Sequence, residues 1–388
     1  MSLQFGWRIF NSTKYNKNYY YNTVTNKSQW SFPTENMFEP LPHKWKLEIS
    51  PLDNQYYYYN TNSGISQWKY PINCNYGLEW VGMSCYMDSV LQALFTNPNT
   101  FSNSILMKNL QDSSDILCPI QVRRQIQEEL RNITKTIRGI SENEEKVVNV
   151  NKLRKLFDKC PWGKSDNQKQ FVNEQTADPG EFLSYLLHIF PISNSAIKET
   201  KNYATNVLNS DKVNNSDLIL TSTNIDKNAS VIVNIDSFML QKIDNETDIT
   251  QFLELVEDTG ELELPLIPTE GIGSGQQFRR KISITKFIST PAIVFSLNRK
   301  DPITNRIIKK EIVPTKDFSV NNIKYYLNAI IVYVGNHYIC FYNCEDEWYL
   351  YDDANTNNMI KKIGTYQELL NNKIVKTQGT QYFYIKKL

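Results

Sequence analysis

Cys85 opens a stretch in which Tyr86, Met87, Val90, Leu91 and Leu94 recur at the spacing of one buried helical face. Glycines and a small polar residue, Ser84, lead into it. The cysteine is therefore expected at a helix N-terminus, where unpaired backbone N–H groups and the positive end of the helix dipole favour a thiolate. A thiolate that attacks a carbonyl needs a base to hold its proton, and that base needs a partner to fix its tautomer. The chain has only three histidines, His43, His188 and His337. A single cysteine is more often a small buried hydrophobe, so the weight falls on its sequence context and on a histidine and an acid far downstream.

That context is specific. Gly77-Leu78-Glu79-Trp80-Val81-Gly82-Met83-Ser84-Cys85-Tyr86-Met87-Asp88-Ser89-Val90-Leu91-Gln92 resembles the cysteine box of ubiquitin-specific proteases. These are papain-like deubiquitinases whose box reads roughly Gly-Leu-x-Asn-x-Gly-x-Thr-Cys-Tyr-Met-Asn-Ser-x-Leu-Gln. Asp178-Pro179-Gly180-Glu181-Phe182-Leu183 and the following Leu186-Leu187 resemble the family's Asp-Ala-x-Glu-Phe-Leu-x-x-Leu-Leu element. Pro291 to Arg299 resembles its Leu-Pro-x-Val-Leu strand. Gly335-Asn336-His337-Tyr338 and Trp348-Tyr349-Leu350-Tyr351-Asp352-Asp353 resemble its His-Tyr box and the Trp-Tyr-x-Phe-Asp-Asp strand after it.

The resemblance implies a catalytic triad of Cys85 as nucleophile, His337 as base and Asp352 as the acid that orients it, with Asp353 in water or oxyanion support. His43 and His188 have no comparable context, and His188 reads as structural. Asp178 and Glu181 are the implied contacts to ubiquitin's arginine-containing tail; the preference of helix N-termini for acids accounts for each of them equally well. Two positions depart from the pattern. Trp80, whose indole N–H is also a donor, stands where the family carries its oxyanion-hole Asn, and Asn336, whose side chain can narrow the channel or donate the missing hydrogen bond, stands where a Gly precedes the histidine. Loss of one oxyanion donor costs on the order of 10²–10³ in rate, so efficiency is in question while the reaction class is not.

Residues 1–72 hold an internal repeat: Trp7, Asn22, Trp30 and Pro33 return as Trp45, Asn60, Trp68 and Pro71, each 38 positions later. Tyrosine runs broken by Asn, Thr and Gly read as short three-stranded antiparallel sheets, and sheets so small need a packed aromatic face to hold together. Both units resemble WW domains. The resemblance implies that Trp7 packs with Pro33 and Trp45 with Pro71, that Tyr20 and Tyr58 belong to the same buckle, and that Tyr19, Tyr21 and Trp30, then Tyr57, Tyr59 and Trp68, form parallel-ring grooves for a polyproline helix. Such a ligand is already stiff, so stacking it costs little entropy. Thr23 and Thr61, where the Pro-Pro-x-Tyr readers usually carry His, favour the splicing-factor type. Thr34 to Lys44 separates the repeats, whereas only Ile72 to Tyr76 separates the second from the cysteine box, so the second is expected to pack on the catalytic domain and the first to swing.

Composition excludes several classes. Lys+Arg 42 against Asp+Glu 41 gives no basic field for nucleic acid or an anionic membrane. The N-terminus lacks a secretory pattern and no apolar run is long enough to span a bilayer, which points to an intracellular protein, cytoplasmic or nuclear. The six cysteines are scattered, so no disulfide framework is expected. Without Cys-x-x-Cys pairs, neither a zinc site nor any other cofactor is expected. Pro119 to Gly139 reads as an amphipathic helix with Ile126, Leu130, Ile133 and Ile137 on its buried side and its charges in solvent, and Val147 to Phe157 as a second helix. Residues 193–230 read as loops with occasional strands, the place of the family's fingers, here reduced and metal-free. Gly271 to Gly275 reads as a flexible hairpin tip.

The expectation is an α+β chain with a papain-like fold of helical thumb, β-rich palm and reduced fingers over residues 75–388, preceded by two WW modules at 3–36 and 40–72. Its implied function is cysteine-dependent hydrolysis of the (iso)peptide bond after ubiquitin's C-terminal Gly through a thioester, with proline-rich proteins as further partners. The alternatives are a ubiquitin-binding adaptor without turnover and a protease for another ubiquitin-like modifier.

Overall fold

The computed structural model of the chain describes residues 7–22, 27–30, 44–51, 56–68, 71–113, 115–139, 147–161, 171, 177–192, 196–205, 219–226, 231–244, 246–254, 256–262, 278–287, 290–301 and 303–386. Pro33, His43 and Gly271 to Gly275 lie outside these residues, as does most of the connection between the two repeats.

The repeat becomes two separate antiparallel sheets. Trp7–Ser12 (β1), Lys17–Asn22 (β2) and Lys27–Gln29 (β3) form the first, and Trp45–Ile49 (β4), Tyr56–Asn60 (β5) and Ser66–Gln67 (β6) the second, with the middle strand central in both. Equivalent residues pair, Trp7 with Asn22 and Trp45 with Asn60. Asn60 caps its own turn, its side-chain oxygen accepting from the amides of Asn62 and Ser63, and Gly64 follows at φ +71°, where a side chain would be strained. Tyr58 is buried, and by strand alternation Tyr57 and Tyr59 lie on the opposite face.

The segment after the second sheet is tied to the body of the protein. Pro71 is buried, Ile72 packs against the main core, the carbonyl of Cys74 accepts from the Tyr342 hydroxyl at 2.6 Å, and that of Tyr76 accepts from Gln92 Nε2 at 3.0 Å.

The next stretch of the chain, to the end of residue 189, is mainly helical. Gly77–Glu79 (β7) leads to Cys85–Phe95 (α1), followed by Thr100–Leu106 (α2) and Ile120–Ile137 (α3). Then come Val147–Asn149 (β8), Asn151–Phe157 (α4) and Pro179–Ile189 (α5). All residues of α1 are buried, which makes it the centre of the helical layer. In α3 the predicted stripe of Ile126, Leu130, Ile133 and Ile137 is buried, and Gly139 at φ +66° ends the helix. Its charges are not all solvated, since Arg123 is buried and donates to the carbonyls of Ile189 and Gln111. The helix expected over Val147 to Phe157 is shorter: the β-branched Val147 and Val148 pair in parallel with β7, and helix begins only at Asn151.

The following region is also more regular than its composition suggested. Ala196–Thr205 (β9) and Ile219–Asp226 (β10) precede Ile232–Ile235 (β11), Ser237–Lys242 (α6), Thr247–Asp248 (β12), Val256–Leu262 (β13) and Phe278–Phe287 (β14). The long strands assemble as an antiparallel sheet in the order β10-β9-β14-β13. Pairing partners distant in sequence, such as Ile284 with both Val256 and Glu199, supply an order that polar composition hides.

Ala292–Leu297 (β15), Ile312–Val313 (β16), Asp317–Val320 (β17), Ile323–Val334 (β18), His337–Cys344 (β19), Glu347–Tyr351 (β20), Ile360–Gly364 (β21) and Gly379–Lys386 (β22) complete the strands, with Tyr366–Asn371 (α7) and Lys373–Gln378 (α8) before the last. The large sheet runs β11-β15-β22-β18-β19-β20-β21, with β17 also on β18. Both faces are covered, so its strands alternate between two cores: Ala329, Ile331, Cys340 and Tyr342 join the core shared with α1, while Ile330, Val332, Ile339 and Phe341 join the other. Each fully buried Ile contributes roughly 1.5–3 kcal/mol.

Cysteine pairing departs from expectation. Cys74 is bonded to Cys344 and Cys118 to Cys160, with Cα separations of 6.0 and 4.3 Å. Spacing along the chain concealed both, because folding alone brings β19 beside the segment before β7, and the approach to α3 beside the end of α4. No helix of the described residues is long and apolar enough to cross a membrane.

Candidate active site

Cys85 is the first residue of α1 and is buried. At this end of a helix the first amides lack intrahelical acceptors. The loop before it turns through two positive-φ residues, Gly82 and Met83. Four hydrogen bonds fix that loop. Ser84 Oγ accepts from the Val81 amide at 2.9 Å and donates to the carboxyl of Asp88. Arg154, on α4, donates to the carbonyls of Val81 and Gly82 at 2.7 and 2.9 Å. The backbone approach to Cys85 is thus gripped from α1 and from α4.

His337 is the first residue of β19, directly after the turn Gly335-Asn336, whose two residues both have positive φ. This is the mark of a two-residue type I′ hairpin, and β18 pairs with β19 from Val334 opposite His337. Because β20 lies on the other side of β19, the acids that follow β20 come level with the histidine. His337 Nε2 donates to Asp352 Oδ1 at 2.8 Å, an oxygen that also accepts from the Ala354 amide at 3.2 Å. The same nitrogen lies 3.4 Å from Asp353 Oδ1.

The thiol of Cys85 is the largest influence on the imidazole, raising its pKa to about 9. Burial opposes this, while the bond to Asp352 and the charge of Asp353 add to it. Such an imidazole is protonated at neutral pH beside the sulfur. A cysteine–imidazolium pair at a helix N-terminus, with an acid behind it, can attack a carbonyl and return a proton to a leaving amine.

The remaining predicted residues separate into groups. Asp178 is the N-cap of α5, its Oδ1 accepting from the amides of Gly180 and Glu181 at 2.7 and 3.2 Å, as the capping alternative required. It is nevertheless close to the site. Tyr338, the residue after His337, has its hydroxyl pKa pushed up by burial first and then by the charges of Asp178, Tyr333, Cys85 and Glu181, so those groups surround it. Burial also raises Asp178 and Glu181. Trp80 is 45% exposed, and no hydrogen bond joins its indole to a described residue. Asn336 is exposed, and its side-chain oxygen accepts from the Tyr333 hydroxyl at 2.7 Å, which binds it into the hairpin.

Asp353 is buried between His337 and Asp88. Sequence reading did not single out Asp88 or Arg154. Arg154 had no local signal, since its carbonyl partners are far along the chain. Asp88 differed visibly from the Asn of the family box.

In the N-terminal sheets the predicted aromatics gather on one face. Tyr19 and Trp30 have ring centroids 5.8 Å apart, and Tyr57 and Trp68 5.9 Å. Phe10 lies 5.7 Å from Tyr19 and 6.0 Å from Tyr21. Trp30 is 45% and Trp68 53% exposed. The paired rings are inclined at 63° and 65°, not parallel, as the ring quadrupoles favour.

Solved structures similar to the chain include the Ubp8-Sgf11-Sgf73-Sus1 SAGA DUB module, at 16% identity over 81% of this chain and 68% of that one, with a TM-score of 0.46. An essential yeast splicing factor is similar at 13% identity over 98% and 85%, with a TM-score of 0.46. The MERS coronavirus papain-like protease is similar at 10% identity over 89% and 69%, with a TM-score of 0.33. No curated protein sequence matches. Residues 76–384, which hold Cys85, His337 and Asp352, match the family model for ubiquitin carboxyl-terminal hydrolase, and the chain belongs to that family.

Proposed function

We propose that the chain is a cysteine-dependent deubiquitinase whose catalytic domain is residues 75–388. Cys85 attacks the carbonyl of ubiquitin's C-terminal Gly, His337 passes a proton to the departing amine, and water releases the thioester. Asp352 orients His337, and the backbone amide of Cys85, at the start of the helix, donates to the oxyanion. Asp178 and Glu181, beside Tyr338, are suited to the basic tail of ubiquitin. The observation that carries this reading is the single imidazole that hydrogen-bonds Asp352 and whose pKa is raised chiefly by the thiol of Cys85. The sheets within 3–36 and 40–72 are WW modules that present Tyr19, Tyr21 and Trp30, and Tyr57, Tyr59 and Trp68, to proline-rich partners.

Exposed, undonating Trp80 at the place of an oxyanion donor favours a second reading, a ubiquitin-binding protein with little turnover. Ubiquitin carrying a C-terminal electrophile separates the two. An adduct that disappears in Cys85→Ala supports the enzyme, whereas tight binding without an adduct supports the adaptor. The same probe built on other ubiquitin-like modifiers tests which one the site accepts.

A further inference from the structure

Behind His337 lie two carboxyl groups that cannot both be ionised. Asp88, on α1, and Asp353, after β20, are buried and within hydrogen-bonding reach of each other. Both oxygens of Asp353 and Oδ1 of Asp88 are buried with no N–H or O–H donor on them, and only Oδ2 of Asp88 is served, by the Ser84 hydroxyl. Two carboxylates packed together in a low-dielectric interior repel strongly, and the arrangement becomes satisfied once one carries a proton and donates it to the other.

The surroundings decide which one. Asp353 faces His337, whose positive charge favours the ionised form, and Asp352 lies on its other flank. Asp88 faces Arg154 on α4, Tyr86 on its own helix and Tyr351 on β20. Arg154 and the Ser84 hydroxyl favour its carboxylate, but burial and the neighbouring Asp353 outweigh them and hold Asp88 well above the usual carboxylate range. Tyr86 and Tyr351 have raised hydroxyl pKa values, chiefly through burial, and remain neutral.

We propose, resting on the catalytic reading above, that Asp88 is a positioning residue: it holds a proton and donates it to Asp353, so that His337 leans on Asp352. The distances show what is at stake. His337 Nε2 is 2.8 Å from Asp352 and 3.4 Å from Asp353. With Asp88 donating, one oxygen of Asp353 is satisfied and its pull on the imidazole is weakened. Without that proton, the donor nearest to Asp353 is His337 itself, and the ring is drawn away from the Asp352 geometry that aims it at Cys85.

The test uses the full chain and two variants. Asp88→Asn puts an amide donor in place at every pH, and Asp88→Ala removes the donor. Infrared spectra of the parent at pH 7 should show the C=O stretch of a protonated carboxyl, shifted in deuterium oxide and absent in both variants. A buried acid with a raised pKa is bound to a proton that the unfolded chain has released, so stability falls as pH rises above the unfolded value of about 3.9. The melting temperature of Asp88→Asn should therefore gain steadily on the parent between pH 4 and 8. In turnover of a ubiquitin-tail substrate, Asp88→Ala should lose at least tenfold in kcat with little change in KM, and Asp88→Asn should recover most of that loss. An undiminished band in Asp88→Asn, or melting temperatures of the two proteins that run parallel across the pH range, would overturn the proposal. The infrared and melting arms need no turnover, so an inactive parent would remove the catalytic reading and leave the shared proton to be judged alone.

Discussion

Arg154 on α4 donates to the carbonyl oxygen of Gly82 across 2.9 Å, three residues before Cys85. With the companion bond to Val81, the guanidinium spans the loop that delivers the nucleophile. A planar fork with several fixed donors suits this bridging, and a single ammonium does not.

Replacing Arg154 by Met should therefore leave two loop carbonyls without their donor. Hydrogen bonds to charged groups contribute about 1.5–3 kcal/mol each, so a destabilisation of roughly 2–4 kcal/mol is expected in denaturant titrations. Alkylation of Cys85 by iodoacetamide should slow as well, with Arg154→Lys intermediate. Parent-like stability and alkylation in Arg154→Met would show that the loop holds its shape unaided.

What could be read in the sequence follows from how local each signal is. The buried stripe of α1, the repeat whose sheets set Trp7 opposite Asn22 and Trp45 opposite Asn60, and the hairpin that carries His337 to Asp352 are each built from residues within a few tens of positions of one another. The pairing of Asp88 with Asp353, the reach of Arg154 and the cysteine pairs join residues distant along the chain, and nothing in their flanking sequence marks the partner. Val147 and Val148 failed for a different reason. A short apolar run fits helix and strand alike, and the tertiary partner β7 decides. Asn336 looked like a candidate oxyanion donor because its residue type can donate, whereas its positive φ and bond to Tyr333 give it a turn role that only the backbone reveals.

The cysteine pairing predicts a thiol count. Under denaturing, non-reducing conditions two cysteines, Cys85 and Cys340, should react, and all six after reduction. In the folded protein only Cys85 should react, because burial raises the Cys340 thiol pKa. Cys344→Ser should cost about 2–4 kcal/mol under non-reducing conditions and nothing further under reducing ones. Six reactive thiols without reductant would refute the pairing.

The charge on His337 predicts a pH dependence with a definite sign. Its pKa is raised to about 9, so the stability it contributes is fully present below the ordinary histidine value of about 6.5 and is lost as pH rises through about 9. Turnover should accordingly carry an alkaline limb near 9. Because Cys85 is the largest influence, nuclear magnetic resonance titration of the imidazole in Cys85→Ala should give a much lower value. Asp352→Asn should lower it less. Unchanged titration in Cys85→Ala would mean that the thiol and the ring do not interact.

The two aromatic faces predict bivalent binding. The second sheet leads into a segment held by Cys74, Pro71 and Ile72 against the main core, so its aromatic face has a short tether. A ligand with one proline-rich segment can fill either face, inserting beside the exposed ring of Trp30 or Trp68. A ligand with two segments gains effective concentration if its spacer spans both faces, which can raise affinity by roughly 10²–10⁴ over one segment. Trp30→Ala and Trp68→Ala should each remove most of that gain in calorimetric titrations with a two-segment peptide, and the double variant should bind weakly or not at all. Neither change touches the buried Tyr58 on the opposite face, so circular dichroism should show both sheets intact. Parent-like binding of the two-segment peptide by the double variant would rule out these faces as the docking sites. If a single variant abolishes binding of both one-segment and two-segment peptides, only one face is a binding site and the gain from linkage does not arise.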